Sequence, residues 1–319
     1  MPSAIEQKWV GVAKESPRGT LVQPPTKYIA VMPDSEADYK QIPIEDENVR
    51  GLLEKFPPQA GIKEGSGKLT GINVQSDNIG EILNGLLGSH SITHTGTLSY
   101  SHKFTRAAGL IQMPSYSLSM QRGLSAKTYS MATFKTLALT GAVDGKLLAD
   151  IDFLFQTENA YPTPPTPTWA SPTPFMFFQT QVIVAGGAAA SNIKDWNLTI
   201  DNGAIGQRTL NQSQDIKDIL AVSKLLANGG FNMYFEDEVE RAKFLANTAT
   251  SLEFKIIGAT IEGAYANMLD IILPEVHYTA FPYGNLDGML GAAVGFNAYY
   301  NIATSKTIEI DLVNTEATY

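Results

Sequence analysis

The 319-residue chain contains no cysteine, so disulfide bonds and thiolate chemistry are excluded. Charged residues make up only 17% of the sequence, which is low for a soluble domain. The formal net charge of −9 argues against a bound nucleic acid, because Lys and Arg are needed to neutralise phosphates. No apolar run approaches the roughly 18 residues that a transmembrane helix requires. The composition therefore favours a β-rich fold with interaction surfaces over a fold of ion-paired helices.

The start of the chain lacks the features of a secretory signal. Residues 1–9 include Glu6, Gln7 and Lys8 and have no apolar core, whereas a signal peptide carries a continuous apolar stretch. We therefore expect no signal peptide, no membrane partner, and a protein that folds in a cytoplasm.

Residues 135–156 form the most informative stretch of the sequence. Two alternating runs flank Asp144-Gly145, a strong signal for a β-hairpin whose two-residue type I′ turn has positive φ at both centres. Each arm has about ten residues and is roughly 33 Å long. The return arm carries Ile151, Phe153 and Phe155 on one face and Asp150, Asp152 and Gln156 on the other. This pattern predicts a sheet that borders a core on one side and a water-filled space on the other.

The remaining chain reads as short strands between turns. Residues 1–68 hold many prolines and predict an irregular N-terminal arm with loops. Residues 69–319 predict a single β-rich domain with a Pro/Thr-rich loop at 161–174, which can neither pair in a sheet nor enter a helix. Asn202-Gly203 follows a clean alternating run and gives a second hairpin signal.

Two segments have helical periodicity. Asp77 is placed to cap a helix over residues 78–87, and Gly88 is placed to end it. A second helix is predicted from Asp237 to about Asn247, with Phe244 as its largest buried side chain. The fold class that follows is all-β with two short α-helices.

Two partial motifs for bound ions fail on close reading. Residues 65–69, Gly-Ser-Gly-Lys-Leu, resemble the end of a phosphate-binding loop, but Leu69 stands where Ser or Thr would hold magnesium. Residues 34–45 mimic the spacing of a calcium loop, but Tyr39 occupies the position that needs glycine.

The candidates for catalysis are equally incomplete. His90 and His94 are four residues apart, but their Ser/Thr/Gly-rich segment does not favour a helix that would bring them together on a metal. Asp150 and Asp152 have the residue type of an acid–base pair, against the simpler interpretation of a solvated strand face. We therefore expect no catalytic residue, no cofactor and no metal.

Four segments, in chain order, resemble the tail tube (major tail) proteins of long, non-contractile-tailed bacteriophages. Residues 11–20, Gly-Val-Ala-Lys-Glu-Ser-Pro-Arg-Gly-Thr, are similar to the opening of these proteins, where a G-x-x-x-E element leads to Gly-Thr and a proline-rich arm. Residues 79–89 resemble their helix that ends in Leu-Leu-Gly-Ser, and residues 135–156 resemble their long central hairpin. Residues 196–202, Trp-Asn-Leu-Thr-Ile-Asp-Asn, resemble one of their strands. The resemblance covers much of residues 11–202.

The resemblance implies a β-sandwich or partial barrel protomer whose long strands complete a closed β-barrel in a hexameric ring. Stacked rings would form the tail tube, through which genomic DNA passes during ejection without specific binding. The implied protein is a structural component of the virion tail, assembled in the host bacterial cytoplasm, and not an enzyme. Its implied partners are further copies of itself, the tape measure protein, the tail terminator, and distal tail or baseplate proteins.

Two sets of residues are candidates for this function. Asp150, Asp152 and Gln156 are expected to line the lumen, where carboxylates would repel passing phosphates. The prolines of the Pro/Thr loop and its tryptophan are expected to take part in ring stacking: Pro162, Pro164, Pro165, Pro167 and Trp169. The alternatives are another self-assembling subunit, such as a decoration or pilus-like protein, and a carbohydrate-binding β-sandwich.

Overall fold

A computed structural model describes residues 8–48, 50–51, 53–123, 125–169 and 173–319. The strands are β1 (Lys8–Lys14), β2 (Lys27–Ile29), β3 (Glu36–Ile44), β4 (Gln59–Asn73), β5 (Gly88–His94), β6 (Tyr100–Arg106), β7 (Tyr116–Arg122), β8 (Ser125–Ala142), β9 (Leu148–Phe155), β10 (Thr157–Tyr161), β11 (Thr180–Val184), β12 (Ile193–Asp201), β13 (Ala204–Gln207), β14 (Asp218–Ala221), β15 (Leu226–Tyr234), β16 (Thr250–Glu262), β17 (Tyr265–Ala280), β18 (Tyr283–Leu286), β19 (Met289–Ala298) and β20 (Glu309–Asn314). The helices are α1 (Ile79–Leu87) and α2 (Val239–Leu245), and one turn of 3₁₀ helix spans Phe177–Gln179. The prediction of an all-β fold with two short helices is confirmed.

The long strand β8 belongs to two antiparallel sheets. Its first half lies in the first sheet, of order β2-β1-β7-β8-β10. Its second half lies in the wide layer, of order β3-β4-β9-β8-β12-β15-β19. β17 pairs with the end of β19 and continues into the covering layer, of order β11-β16-β17-β20-β6-β5.

The main core lies between the wide layer and the covering layer. The ring of Trp196 on β12 stacks on Phe254 of β16, with ring centroids 4.4 Å apart, and Phe254 also contacts Phe296 of β19. Facing aromatic side chains on two layers are the arrangement of a sandwich. Among the described residues, β3 and β5 each pair on one side only. The layers therefore stay open and close into no barrel within the described part of the chain.

The predicted long hairpin is present, but its turn differs from the prediction. β8 and β9 pair from Thr133–Leu154 to Thr140–Leu148. Residues 143–147 separate the strands, and only Asp144 of the Asp-Gly pair has a positive φ. The prediction of a two-residue type I′ turn is therefore wrong. The reason is that the amide of Leu147 donates to Phe175 O at 2.9 Å, so this residue pairs outside β8 and widens the turn.

Much of the segment predicted as an irregular arm is strand. β1, β2, β3 and the first part of β4 all lie within residues 8–68. Val10 and Val12 of β1 are fully buried in the core. The prediction of an irregular arm is wrong for these stretches. The prolines lie between the strands or near an exposed strand end, so they do not prevent strand formation. Pro43, for example, lies near the exposed end of β3, where a strand tolerates proline.

The two helices differ from their predictions in their ends and burial. α1 ends as predicted at Gly88, which has a φ of 80°, but its N-cap is Asn78 rather than Asp77. α2 is shorter than predicted and has no buried residue. Phe244 is only partly buried and packs against Phe281, with ring centroids 6.2 Å apart. The prediction of Phe244 as the largest buried side chain of this helix is wrong, because α2 lies mainly against β17 and leaves the ring partly exposed.

Asn202-Gly203 does not form the predicted hairpin. β12 pairs with β8 and β15, while the following strand pairs with β14. The buried side chain of Asn202 instead donates to Phe134 O at 2.7 Å and to Leu86 O at 3.2 Å. Asn202 thus connects the end of β12 to α1 and β8. This long-range role explains why an Asn-Gly pair stands here although no hairpin turn forms.

Candidate functional site

A continuous polar surface covers the solvent-facing side of the wide layer. Cross-strand pairing places Glu36, Lys68, Asp152, Thr136 and Asp201 in one row across five strands. A second row holds Asp150, Ala138, Thr199 and Asn228. We call the side that these rows share the polar face. Its central strands carry mainly short side chains, so this part of the face is smooth.

The polar face carries both signs of charge. Asp150 Oδ2 lies 3.4 Å from Lys68 Nζ, and Asp150 Oδ1 accepts from the amide of Gly71 at 2.9 Å. Asp152 is exposed and borders a shallow depression of about 650 Å³. Four carboxylates and three lysines line that depression: Glu36, Asp38, Asp152, Asp201, Lys40, Lys68 and Lys135. The face is thus less uniformly acidic than the return arm alone indicates.

Gln156 is separated from the two aspartates by a small additional unit. β13, β14 and the segment between them (residues 204–221) pack on the end of β9, where Leu154 contacts the apolar cluster of Ala204, Ile216 and Ile219. Gln156 Nε2 donates to Ile216 O at 2.8 Å. The structure therefore brings Asp150 and Asp152 together on the polar face, while the side chain of Gln156 holds the 204–221 unit.

The 204–221 unit is also clamped by a residue from the start of the chain. Arg18 Nη2 donates to Asp218 Oδ1 at 2.9 Å and to Ile219 O at 2.6 Å, and Arg18 Nε donates to the same carboxylate oxygen at 3.1 Å. Planar guanidinium groups suit such forked contacts. Our sequence reasoning missed this role, although Arg18 lies inside the motif that carried the family resemblance.

The contacts of Glu15 explain the G-x-x-x-E element of residues 11–20 in structural terms. Its buried carboxylate accepts from the amide of Gly19 at 2.8 Å, from the amide of Met131 at 2.9 Å and from Ser117 Oγ at 2.9 Å. Gly19 has a φ of 78°, a conformation that favours glycine. The G-x-x-x-E element and its later glycine therefore fix the path of the chain between β1 and β2.

The Pro/Thr loop packs on the first sheet. The ring of Trp169 contacts Tyr28 of β2 at a centroid distance of 6.1 Å, and Tyr28 contacts Trp9 of β1 at 5.4 Å. Trp169 remains half exposed. Pro164, Pro165 and Pro167 are half-buried, and Pro162 is exposed. The predicted stacking residues thus form one surface segment, and residues 170–172 lie outside the described residues.

The four histidines lie in strands, with His90 and His94 in β5, His102 in β6 and His277 in β17. His90 Nε2 and His102 Nδ1 are 2.9 Å apart, and the second ring nitrogen of His102 is 2.9 Å from Glu316 O. Burial, followed by the nearby His102, lowers the pKa of His90 to about 4. In the part of the chain that the structure describes, no group of three His, Cys, Asp or Glu side chains could hold a metal ion.

Membrane crossing by a helix is not supported. Neither α1 nor α2 combines the length and the apolar character that such a span requires.

The comparisons with known proteins agree with the resemblance found in the sequence. A family model described as phage tail tube protein matches residues 9–298. None of the curated proteins compared matches the chain.

Proposed function

The chain belongs to the phage tail tube protein family, and we propose that copies of it assemble into hexameric rings that stack into a tube for DNA. Membership of the family makes it a structural protein of the virion tail. The match over residues 9–298 is the single observation that carries the proposal. The open edge strands and the polar face supply its physical basis.

Ring closure is proposed through the strand edges of the wide layer. The outer edge of β3 presents backbone groups without a strand partner among the described residues. Such an edge is a template for pairing with another chain, and pairing around a ring would complete a closed barrel. Closure would satisfy the exposed backbone groups that otherwise cause aggregation.

Asp150 and Asp152 support a lumenal position for the polar face. Both project from the solvent side of β9, opposite the buried Ile151 and Phe153. Lumenal carboxylates would keep phosphates from binding to the wall, while the neighbouring lysines would moderate the repulsion. We propose that Gln156 does not line the lumen directly but holds the 204–221 unit at the border of the polar face.

Ring stacking is proposed for the Pro/Thr loop and for the projecting loop between β3 and β4. Pro162, Pro164, Pro165, Pro167 and Trp169 offer a surface with little conformational entropy to lose on docking. Further partners in the tail would be the tape measure protein, the tail terminator and distal tail or baseplate proteins, with assembly in the host cytoplasm.

Electron microscopy of the purified protein tests the proposal. Rings or tubes about ten nanometres across, roughly the width of a barrel of tens of strands, are the expected result. Six subunits per ring would be counted in end-on views. A protein that remains monomeric at high concentration, and binds a carbohydrate instead, would support the alternative of a carbohydrate-binding β-sandwich.

A further inference from the structure

An open groove lies where β15 and β19 separate at one side of the wide layer. The ladder between the two strands ends at the Ala227–Ala298 pair, and the groove beyond it has a volume of about 750 Å³. Most of its surface is apolar, and the side chains of Leu226, Tyr299 and Tyr300 line it while remaining about half exposed. A contiguous apolar surface that stays exposed marks an interaction site.

Two cations at the groove have no carboxylate partner among the described residues. The guanidinium of Arg106 is half-buried, and the acceptors that it reaches, Ala221 O at 3.4 Å and Met113 Sδ at 3.2 Å, carry no charge. Burial lowers the pKa of Arg106, whereas a nearby carboxylate would raise it. Lys224 at the rim is exposed and forms no ion pair in the described part of the chain. The groove therefore favours an occupant that brings both carboxylates and apolar side chains.

The edge strand β3 carries both kinds of group. Glu36 and Asp38 are exposed near its start, and Ile42 and Ile44 are exposed near its end. Asp38 reaches Lys40 only at 3.9 Å, and Glu36 forms no ion pair with a described residue, so both carboxylates can take a further cation. Exposed isoleucines on an open strand edge also need a cover, because such an edge otherwise promotes aggregation.

β3 and the groove lie at opposite sides of the wide layer. The row of cross-strand partners that starts at Glu36 ends at Leu226, five strand spacings away. At about 4.8 Å per spacing the separation is about 24 Å, so β3 cannot enter the groove of its own copy. The acidic residues Glu236 and Asp237 directly follow β15 and therefore lie on the same side as the groove. A neighbour in a ring presents its opposite side, which selects β3 over this second acidic segment.

We propose that β3 of one copy docks in this groove of the neighbouring copy in the same ring. The carboxylates of Glu36 and Asp38 pair with the two cations of the groove, and the two exposed isoleucines pack on its apolar rim. A contact between unlike surfaces at opposite sides of a molecule closes into a ring when the rotation between copies fits. The inference rests on the proposed function, because it names the contact between neighbours within a ring.

Chemical cross-linking tests the contact directly, since the chain has no cysteine of its own. Gln41→Cys on β3 is combined with Ser223→Cys beside Lys224, both at exposed positions, and the assembled protein is treated with a short bismaleimide. We expect a ladder of covalent multimers that stops at the number of subunits in one ring. The matched control combines Gln41→Cys with Met289→Cys, an exposed residue at the other end of β19, about 30 Å from the groove, and should give no ladder.

Charge exchange measures the contribution of the ion pairs. Asp38→Lys and Lys224→Glu each change an exposed side chain, so the melting temperature should hold, while the protein concentration needed for rings should rise at least tenfold. An equal mixture of the two variants should assemble like the wild type, because each groove meets a β3 of opposite charge when the variants alternate around a ring. The matched control Glu236→Lys makes the same change in net charge as Asp38→Lys and should assemble normally.

Three results would overturn this inference alone. The first is wild-type tubes without the Gln41–Ser223 ladder, or with an equal ladder in the Met289 control. The second is a ladder that continues beyond the subunits of one ring, which would place the contact between rings. The third is charge variants that assemble like the wild type, or whose mixture assembles no better than either variant. Wild-type protein without rings or tubes would overturn the proposed function itself.

Discussion

The guanidinium of Arg18 forms an ion pair with the carboxylate of Asp218, 2.9 Å away and 200 residues further along the chain. Both side chains are largely buried, and the same guanidinium donates to the backbone of Ile219. Arg18, which lies between β1 and β2, therefore holds the 204–221 unit at the border of the polar face.

Arg18→Lys should destabilise the protein by about 1–3 kcal/mol, because a lysine cannot make the forked contact and leaves partly buried acceptors unsatisfied. Urea unfolding would measure the free energy of unfolding. The matched control is Asp287→Asn, which changes the exposed carboxylate that contacts Lys194 and Tyr234 and should lower the free energy of unfolding clearly less. If the two substitutions lowered the free energy of unfolding equally, the stabilising role of the Arg18 contacts would be contradicted.

Phe254→Ala should cost about 3–5 kcal/mol, because Phe254 is fully buried between the two layers and its loss leaves a cavity. Phe244→Ala should cost clearly less, since Phe244 on α2 is only partly buried. Thermal unfolding of the two variants checks the difference. A larger loss for Phe244→Ala would mean that α2 is buried more deeply than described.

The double change Asp150→Lys with Asp152→Lys should leave tube formation intact and slow DNA ejection from virions. Lysines on a lumenal wall would attract phosphates, and the effect should weaken with salt because charges are screened over about 8 Å at physiological ionic strength. Glu236→Lys with Glu238→Lys makes the same change in net charge on an exposed loop after β15. Normal ejection in the aspartate variant would place these residues outside the lumen.

Replacing residues 162–169 with a Gly/Ser linker of equal length should give folded protomers that form few or no tubes. The replacement keeps Tyr161, which is buried at the end of β10, so the melting temperature should change little. Light scattering would follow polymerisation. Tubes that form at the wild-type concentration would show that the Pro/Thr loop has no part in stacking.

Protein stability should fall as the pH drops from about 6.5 towards 4. Burial lowers the pKa of His90 to about 4, so the folded protein keeps this ring neutral while the unfolded chain binds a proton below its ordinary pKa of about 6.5. The stability is therefore complete above pH 6.5 and declines below it. Urea unfolding at several pH values would show a smaller decline for His90→Gln. An unchanged pH profile would exclude His90 as a source of the effect.

The sequence by itself determined the fold class, α1, the pairing of β8 with β9, and the family. These features rest on local signals: alternation with a period of two, a glycine that ends a helix, and short motifs in a fixed order. Asp150 and Asp152 were placed on one solvent-facing side for the same reason, since alternate residues of a strand share a face.

Only the tertiary structure decided the features that depend on distant partners. The turn after β8 widens because Leu147 pairs with Phe175, and Asn202 serves as a buried connector because Leu86 and Phe134 lie beside it. Lys68 partly neutralises the polar face from a neighbouring strand. Each outcome depends on which residues meet across the fold, and those contacts leave no periodic trace in the local sequence.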